Sequence, residues 1–341
     1  MDMQSALNTL ADGGNLSRDA MRGIFLGVMS GDATPAQIGA LLMGLRCKGE
    51  TVEEIAGAVD AMRALSTRVA VDAPYLIDTC GTGGSGQKLF NISTAAALVA
   101  AAAGAHVAKH GNRKASSQSG AADLLEAAGA SIALTPAQIA RCITEVGVGF
   151  MFAPAHHSAM RHVAPVRGEL KIRTMMNLLG PLTNPAGARR QLMGVFDRAW
   201  LRPLTEVLQM LGSEAVLLVN CGGLDEMGLH TPTHCCELRA GTITEYLFDP
   251  RSVGIERQAT DSLQAASIAD SLRLVRSALS GEPGPAHDIV ALNAGAAIYV
   301  SGVANSMDNG VEMARDAIAA GLAQEKLDEL VRITSLMAEE Q

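Results

Sequence analysis

Four glycines fall within six residues at Gly81-Thr82-Gly83-Gly84-Ser85-Gly86. Glycine lets a backbone turn sharply and bring its N–H groups up to an oxyanion. Asn91-Ile92-Ser93-Thr94 follows where a helix is expected to begin. Free N–H groups, the helix dipole and two hydroxyls there would favour the same anion. These residue types at this spacing point to phosphate binding. Gly81, Gly83 and Gly86 formally satisfy GxGxxG, yet a dinucleotide site needs an acid about twenty residues further on for the ribose. Near that point stands His106, and the next acid is Asp123. No Gly-Lys-Ser/Thr follows the glycines, so the Walker pattern fails as well. A glycine-rich turn without a ligand is the plain alternative.

A second loop, Lys109-His110-Gly111-Asn112-Arg113-Lys114-Ala115-Ser116-Ser117, brings cationic heads, an amide and hydroxyls. Such groups can neutralise and orient a pyrophosphate; the alternative for any isolated charge run is a solvated turn. Further along, Arg167 follows Pro165-Val166, and Asp225-Glu226 sits among Gly222, Gly223 and Gly228. Taken alone, an acidic pair in a glycine-flanked turn reads as a solvated loop. No CxxC occurs among Cys47, Cys80, Cys142, Cys221, Cys235 and Cys236, and the histidines lack zinc spacing. Reduced, mostly buried thiols are expected. No Ser-His-Asp or Cys-His arrangement is evident.

The elements that must hold these groups change character along the chain. Residues 1 to about 70 read as helices. Ser17 suits an N-cap, Thr34-Pro35 opens a helix with Pro at its first position, and Thr51 with Glu53-Glu54 opens another. From Pro74 the rhythm becomes strand and helix in turn. Strands are expected at 75–78, 106–108, 148–152, 191–196 and 215–219, and helices at 95–103, 121–128, from Thr135-Pro136, and at 203–211. Alternation of this kind implies a mainly parallel α/β sheet with ligand loops at the carboxyl ends of its strands. Residues 164–190 interrupt the rhythm with Pro165, Pro181 and Pro185, and either return to the helical part or form the cross-over. A β-rich excursion spans roughly 235–248, and the last strong helix runs from about 309 to 320. The expected fold class is α/β: a small all-helical domain, residues 1–72 completed by helices within about 165–190, and a larger α/β domain from 73–164 and 191–341.

The 341 residues leave ample room for a core. Aromatics are only 3% of the chain, so that core must come from Ala, Val, Leu, Ile and Met. The formal charge of −8 shows no basic stripe and argues against a nucleic-acid partner. No apolar run reaches membrane-spanning length, and the N-terminus lacks a secretory pattern. A cytoplasmic protein without membrane contact is the expectation.

The stretches GTGGSGQKLFNIST, VAKHGNRKASSQSGAADLLEAAG and HHSAMRHVAPVRGELKIRTMMNLLGPLTNPA, with the pair in GGLDE, resemble the anthranilate phosphoribosyltransferase family over nearly the whole chain. The resemblance implies transfer of ribose phosphate from phosphoribosyl pyrophosphate to anthranilate, in tryptophan biosynthesis. It implies that Gly81, Gly84, Asn91, Ser93, Thr94, Lys109 and Ser117 contact phosphoribosyl pyrophosphate. The wider cradle takes in Ser85, Leu89, Ile92, His110, Gly111, Asn112, Arg113, Lys114, Ala115, Ser116 and Ala121. Ser93, Asp225 and Glu226 match magnesium ligands, with two Mg²⁺ ions per subunit expected. Gly81, Asn112 and Arg167 match anthranilate contacts. No residue is expected to react covalently. Positioning and electrostatics suffice, with His110 either orienting the acceptor, taking a proton, or simply packing. A homodimer is implied, and association with an anthranilate synthase is a pathway expectation. This chain departs from the family pattern at Ser85 for Asp, Leu89 for Thr, Lys171 for Gly and Met176 for Phe. Two other readings stay open: a pyrimidine nucleoside phosphorylase of the same fold, and a non-catalytic relative that binds nucleic acid.

Overall fold

The computed structural model describes residues 1–83, 86–113 and 120–339. Four helices open the chain: α1 (Met3–Ala11), α2 (Arg18–Ser30), α3 (Pro35–Lys48) and α4 (Val52–Leu65). Their ends are set by side chains that accept otherwise unpaired N–H groups. Ser17 caps α2, and Thr34 with Gln37 and Thr51 with Glu54 form reciprocal capping boxes on α3 and α4. Glu54 does more than cap. It is fully buried, accepts from the Leu16 N–H at 2.9 Å and pairs with Lys48 at 2.9 Å, which ties the α1–α2 connection to α4. α2 and α4 cross closely at Gly57, where an added Cβ would lie 2.3 Å from the Arg18 carbonyl oxygen.

The rest of the chain builds an α/β layer from β1 (Leu76–Gly81), α5 (Ile92–Ala102), β2 (His106–Gly111), α6 (Ala121–Ala128), α7 (Pro136–Arg141) and β3 (Val148–Phe152). Three short helices follow, α8 (Ala153–His156), α9 (Ala164–Leu170) and α10 (Met176–Leu179). Then come β4 (Arg190–Gly194), α11 (Leu201–Met210), β5 (Ala215–Asn220), β6 (Thr233–Arg239) and β7 (Thr242–Phe248). Four helices close the chain: α12 (Ile268–Leu279), α13 (Pro285–Ser301), α14 (Met307–Ala319) and α15 (Leu322–Glu339).

The sheet has seven strands in the order β3-β2-β1-β4-β5-β6-β7. The first five run parallel, and β6 and β7 are antiparallel. The 235–248 excursion is therefore a hairpin on the sheet edge, turned by Ala240 and Gly241 at positive φ. The chain leaves β1 for β2 and β3 on one side and returns to β4 on the other. That reversal between β1 and β4 is the point where an open α/β sheet leaves a crevice beyond its strand ends. Gly81 sits directly opposite Gly194 there.

The fold is a small helical N-terminal part and a larger α/β part with a mostly parallel sheet. The interrupting segment returns to the helices: Val163, Val166, Met175 and Leu179 share a core with α1–α4, which continues into Met193, Leu204 and Leu218. A second core surrounds α5 and α13, both buried on nearly every face. The sequence reading did not identify α12 and α13. Helix α13 is apolar all round, so it lacks the one-sided stripe that marks a surface helix. Among the described residues, no helix is long and apolar enough to cross a membrane.

Candidate active site

A cavity of about 290 Å³ opens at the β1/β4 crevice. Its floor is the end of β1 and the N-terminal turn of α5; its walls are the end of β2 and the loop Leu224–Glu226. The N-terminal turn of α5, a helix of eleven residues, borders this space with the positive end of its macrodipole, while its Ile92 and Thr94 N–H groups bond to the Phe90 and Asn91 carbonyls at 2.7 and 3.2 Å. Asn91 is aimed from behind: its N–H donates to the Ser271 hydroxyl at 3.0 Å, and that hydroxyl donates to Asn91 Oδ1 at 2.7 Å. Thr94 is buried, and its Oγ1 has no partner among the described residues. A buried hydroxyl left unpaired costs free energy unless a ligand completes it.

Lys109 is buried beneath the glycine loop and donates to the Thr79 carbonyl and, at 3.3 Å, to Ser93 Oγ. Burial pushes its pKa down, while the charges of Asp78, Cys80 and Glu226 push it back up. Asp78, also buried, accepts from the His110 N–H at 3.2 Å. Its carboxyl is pushed up by burial and pulled down by Asn184, Lys109 and His110. Glu226 is pushed up by removal from water and then by Asp225, with Lys109 and Ser93 pulling it down. Two neighbouring carboxyls and a serine hydroxyl form an all-oxygen set suited to a hard divalent cation. The neighbouring charge that disfavours both carboxylates in its absence is what a cation would relieve. That donor set therefore fits Mg²⁺. No cluster of three His, Cys, Asp or Glu that could hold a metal ion is present among the described residues.

The acidic loop reaches the cavity because two glycines let it. An added Cβ at Gly194 would lie 1.6 Å from the Asp225 carbonyl oxygen, and one at Gly81 would lie 3.0 Å from Asp225 Oδ2. Gly194 is the more demanding position, because its clash is with backbone.

A second cavity of about 450 Å³ adjoins the first and is mostly apolar. Met62 comes from α4, Pro154 from α8, Met160 and Arg161 from the turn after it, Arg167 from α9, Met176 from α10, and Gly180 and Thr183 from the following segment. Arg167 is half-buried, has no carboxylate partner among the described residues, and its pKa is lowered by burial. His110 and Asn112 line both cavities. The His110 ring meets His157 edge-on at 5.1 Å, and its Nε2 is buried without a partner among the described residues. Burial, then the nearby His157 and His156, push the His110 pKa down to about 3. The imidazole is thus neutral near pH 7 and is a weak base; orienting a ligand at the junction suits it better than taking a proton.

The expected residues separate as follows. Gly81, Leu89, Asn91, Ile92, Ser93, Thr94, Lys109, His110, Gly111, Asn112, Arg113, Ala121, Asp225 and Glu226 all line the first cavity. Asn112 and Arg167 line the second, whereas Gly81 faces only the first. Gly84, Ser85, Lys114, Ala115, Ser116 and Ser117 lie outside the described residues. Arg113 is directed elsewhere: its guanidinium pairs with Glu126 and, at 3.3 Å, with Asp123 on α6, and lies over the Phe152 ring. His157, Met62, Met160 and Ser271 were not anticipated as site groups. His157 and Met160 lie within the HHSAMRHVAPVRG stretch, whereas Met62 and Ser271 carry no local signal.

Two family models cover most of the chain: a glycosyl transferase family helical bundle domain over residues 4–66 and a glycosyl transferase family a/b domain over residues 73–324. An anthranilate phosphoribosyltransferase of Thioalkalivibrio sulfidiphilus is 53% identical over 336 residues, covering 98% of this chain and 99% of the relative. The crystal structure of anthranilate phosphoribosyltransferase from Thermus thermophilus superposes with a TM-score of 0.91 at 42% identity, covering 97% of this chain and 99% of that one. The Saccharomyces cerevisiae anthranilate phosphoribosyltransferase, solved in complex with PRPP and Mg, matches with a TM-score of 0.88 at 25% identity over 98% of both chains.

Proposed function

The chain belongs to the anthranilate phosphoribosyltransferase family, and from that premise we propose which residues carry the reaction. The reaction moves the phosphoribosyl group of 5-phosphoribosyl 1-pyrophosphate onto anthranilate, giving N-(5-phosphoribosyl)anthranilate and pyrophosphate, in tryptophan biosynthesis. Phosphoribosyl pyrophosphate occupies the first cavity, with its phosphates against the α5 N-terminus, the Thr94 hydroxyl and Lys109. Anthranilate occupies the second, its carboxylate on Arg167 and its amine near His110 and Asn112. The observation that carries this assignment is the sharing of His110 and Asn112 by a polar and an apolar cavity. A donor and an acceptor in the two spaces would meet at those residues.

The aromatic amine attacks the anomeric carbon as pyrophosphate leaves. Its nitrogen lone pair forms the new bond, the pyrophosphate oxygen keeps the electrons of the old one, and the proton shed by the nitrogen passes to the departing pyrophosphate. The protein supplies position and a field for developing negative charge; no side chain forms a bond to substrate. Lys109, the positive end of α5 and the Thr94 hydroxyl stabilise the leaving pyrophosphate. Asp225, Glu226 and Ser93 would hold Mg²⁺, which when bound neutralises and orients phosphate oxygens. We assign two ions per subunit to this site. His110 orients the acceptor as a neutral ring.

Four further points belong to this reading. The domain division is 1–72 with about 165–190 against 73–164 and 191–341, supported by the core that those helices share. The subunits pair as a homodimer, checked by light scattering on a sizing column. An association with anthranilate synthase is checked by co-elution. A cytoplasmic location suits the six free cysteines. The decisive assay mixes protein, Mg²⁺, phosphoribosyl pyrophosphate and anthranilate and follows loss of anthranilate fluorescence. Loss that requires all four components supports the reading. Turnover of a nucleoside with phosphate instead would favour a nucleoside phosphorylase of the same fold.

A further inference from the structure

Asn293 lies in the middle of α13, completely buried in a stretch that is apolar from Ile289 to Leu292 and again from Ala294 to Ile298. A carboxamide is expensive in such a place unless every group on it is used. Two of its three hydrogen bonds go to a single distant residue. Its Oδ1 accepts from the Met227 N–H at 2.9 Å, and its Nδ2 donates to the Met227 carbonyl at 2.9 Å. The remaining Nδ2 hydrogen goes to the Ile289 carbonyl at 2.8 Å, which fixes the side chain to its own helix. Asn293 therefore grips both backbone polar groups of one residue, 66 positions away in sequence. That residue directly follows Asp225-Glu226.

We propose that Asn293 is a positioning residue, an amide clamp whose two-point grip on the Met227 backbone holds the Asp225-Glu226 carboxyls in place for a divalent cation. The proposal rests on the reading of those acids as cation ligands. The loop is anchored at its other end by a second amide. Asn220 Nδ2 donates to the Val195 carbonyl at 2.7 Å, and Asn220 Oδ1 accepts from the Gly223 N–H at 3.3 Å. Between the two asparagines the backbone is pinned against Gly194 and crossed by mutual bonds of Cys221 and Leu224 at 2.9 and 3.0 Å. The helix behind the clamp is itself braced. At Gly295 an added Cβ would meet Val311 of α14 at 2.5 Å, so α13 is packed tightly against α14 two residues beyond the clamp. The residues that orient a cation's ligands from behind usually matter to affinity by about 10- to 100-fold.

The test separates a positioning role from a purely structural one. In N293A, the Mg²⁺ concentration for half-maximal rate should rise about 10-fold or more. The KM for phosphoribosyl pyrophosphate should rise with it, the KM for anthranilate should hold, and saturating Mg²⁺ should restore much of kcat. Reversible unfolding raises apparent half-saturation only in proportion to the unfolded fraction, so the titration is run at a temperature where circular dichroism shows N293A folded; unchanged half-saturation there overturns the proposal. E226Q is run in parallel. If E226Q shifts half-saturation and N293A does not, the clamp alone falls; if neither shifts it, the cation reading falls and takes the clamp with it. Amide hydrogen exchange on the wild type without metal or substrate needs no variant. The Met227 N–H should exchange as slowly as the α13 amides, and exchange at the rate of an exposed loop overturns the proposal. In N293A its protection should drop while α13 stays protected. A joint loss across α13 would make the role structural and overturn the assignment.

Discussion

The first cavity takes its polar groups from short consecutive runs at strand and helix ends, whereas the second collects side chains from α4, α8, α9, α10 and the turns between them. The first is organised by backbone. Glycines, a helix N-terminus and strand register place its N–H groups before any side chain is chosen. The second is organised by packing, and its few polar groups sit in a wall of Met, Ala and Pro. A backbone-built site should fail steeply when one charged group or one close approach is lost. A packing-built site should lose affinity for its own ligand and little else.

The largest effect is expected from K109A. Lys109 is the buried cation of the first cavity, and removal of one such stabilising donor typically costs about 10²- to 10³-fold in kcat. Steady-state rates at saturating Mg²⁺ measure it, and a loss under about 5-fold would mean that the leaving group is stabilised elsewhere. G194A comes next. Its methyl cannot coexist with the Asp225 carbonyl, so the acidic loop must shift by an ångström or more, which costs about 100-fold. Normal activity in G194A would show that the acidic loop need not approach β4 to work.

R167A sharpens the comparison from the other side. A charge-assisted pair with a carboxylate contributes about 1.5–3 kcal/mol, so the anthranilate KM should rise about 10- to 100-fold. The KM for phosphoribosyl pyrophosphate should change little, because Arg167 lines only the second cavity. Equal effects on both substrates would dissolve the division into two subsites.

The same contrast explains what could be read from the chain alone. The first cavity was legible because its residues are sequential: GTGGSG, NIST and KHGNR each carry several contacts on one loop. The parallel strands were legible through their alternation with helices, although β1 and β2 run three residues further toward the site than the apolar patterns suggested. Helix α13 was not legible, because burial on all sides removes the periodic stripe, and Asn293 went with it. The second cavity was legible only at His110, Asn112 and Arg167. Met62, Met160 and His157 come together through the packing of helices whose relative positions no local pattern encodes. Arg113 shows the opposite failure: its type suited a phosphate, yet nearby Glu126 and Asp123 on α6 claim its guanidinium.

The smallest expected effect concerns the pair of histidines at the junction. Burial pushes His110 down to about 3 and His157 down to about 4, each from an ordinary value of 6.5. Both are neutral when folded, while the unfolded chain takes up protons below about pH 6.5. Stability from these groups is therefore complete above that pH and is lost as pH falls towards 4 and then 3. At pH 5 the loss is about 2 kcal/mol for each ring. The raised carboxyls of Asp78 and Glu226 act in the opposite sense over part of this range, so the wild-type slope alone does not isolate the histidines. The difference between wild type and H157Q does. Urea unfolding at pH 7 and pH 5 should show H157Q losing about 2 kcal/mol less on acidification than the wild type. Parallel losses in the two proteins would mean that His157 is already protonated when folded, and that the wall between the two cavities carries charge.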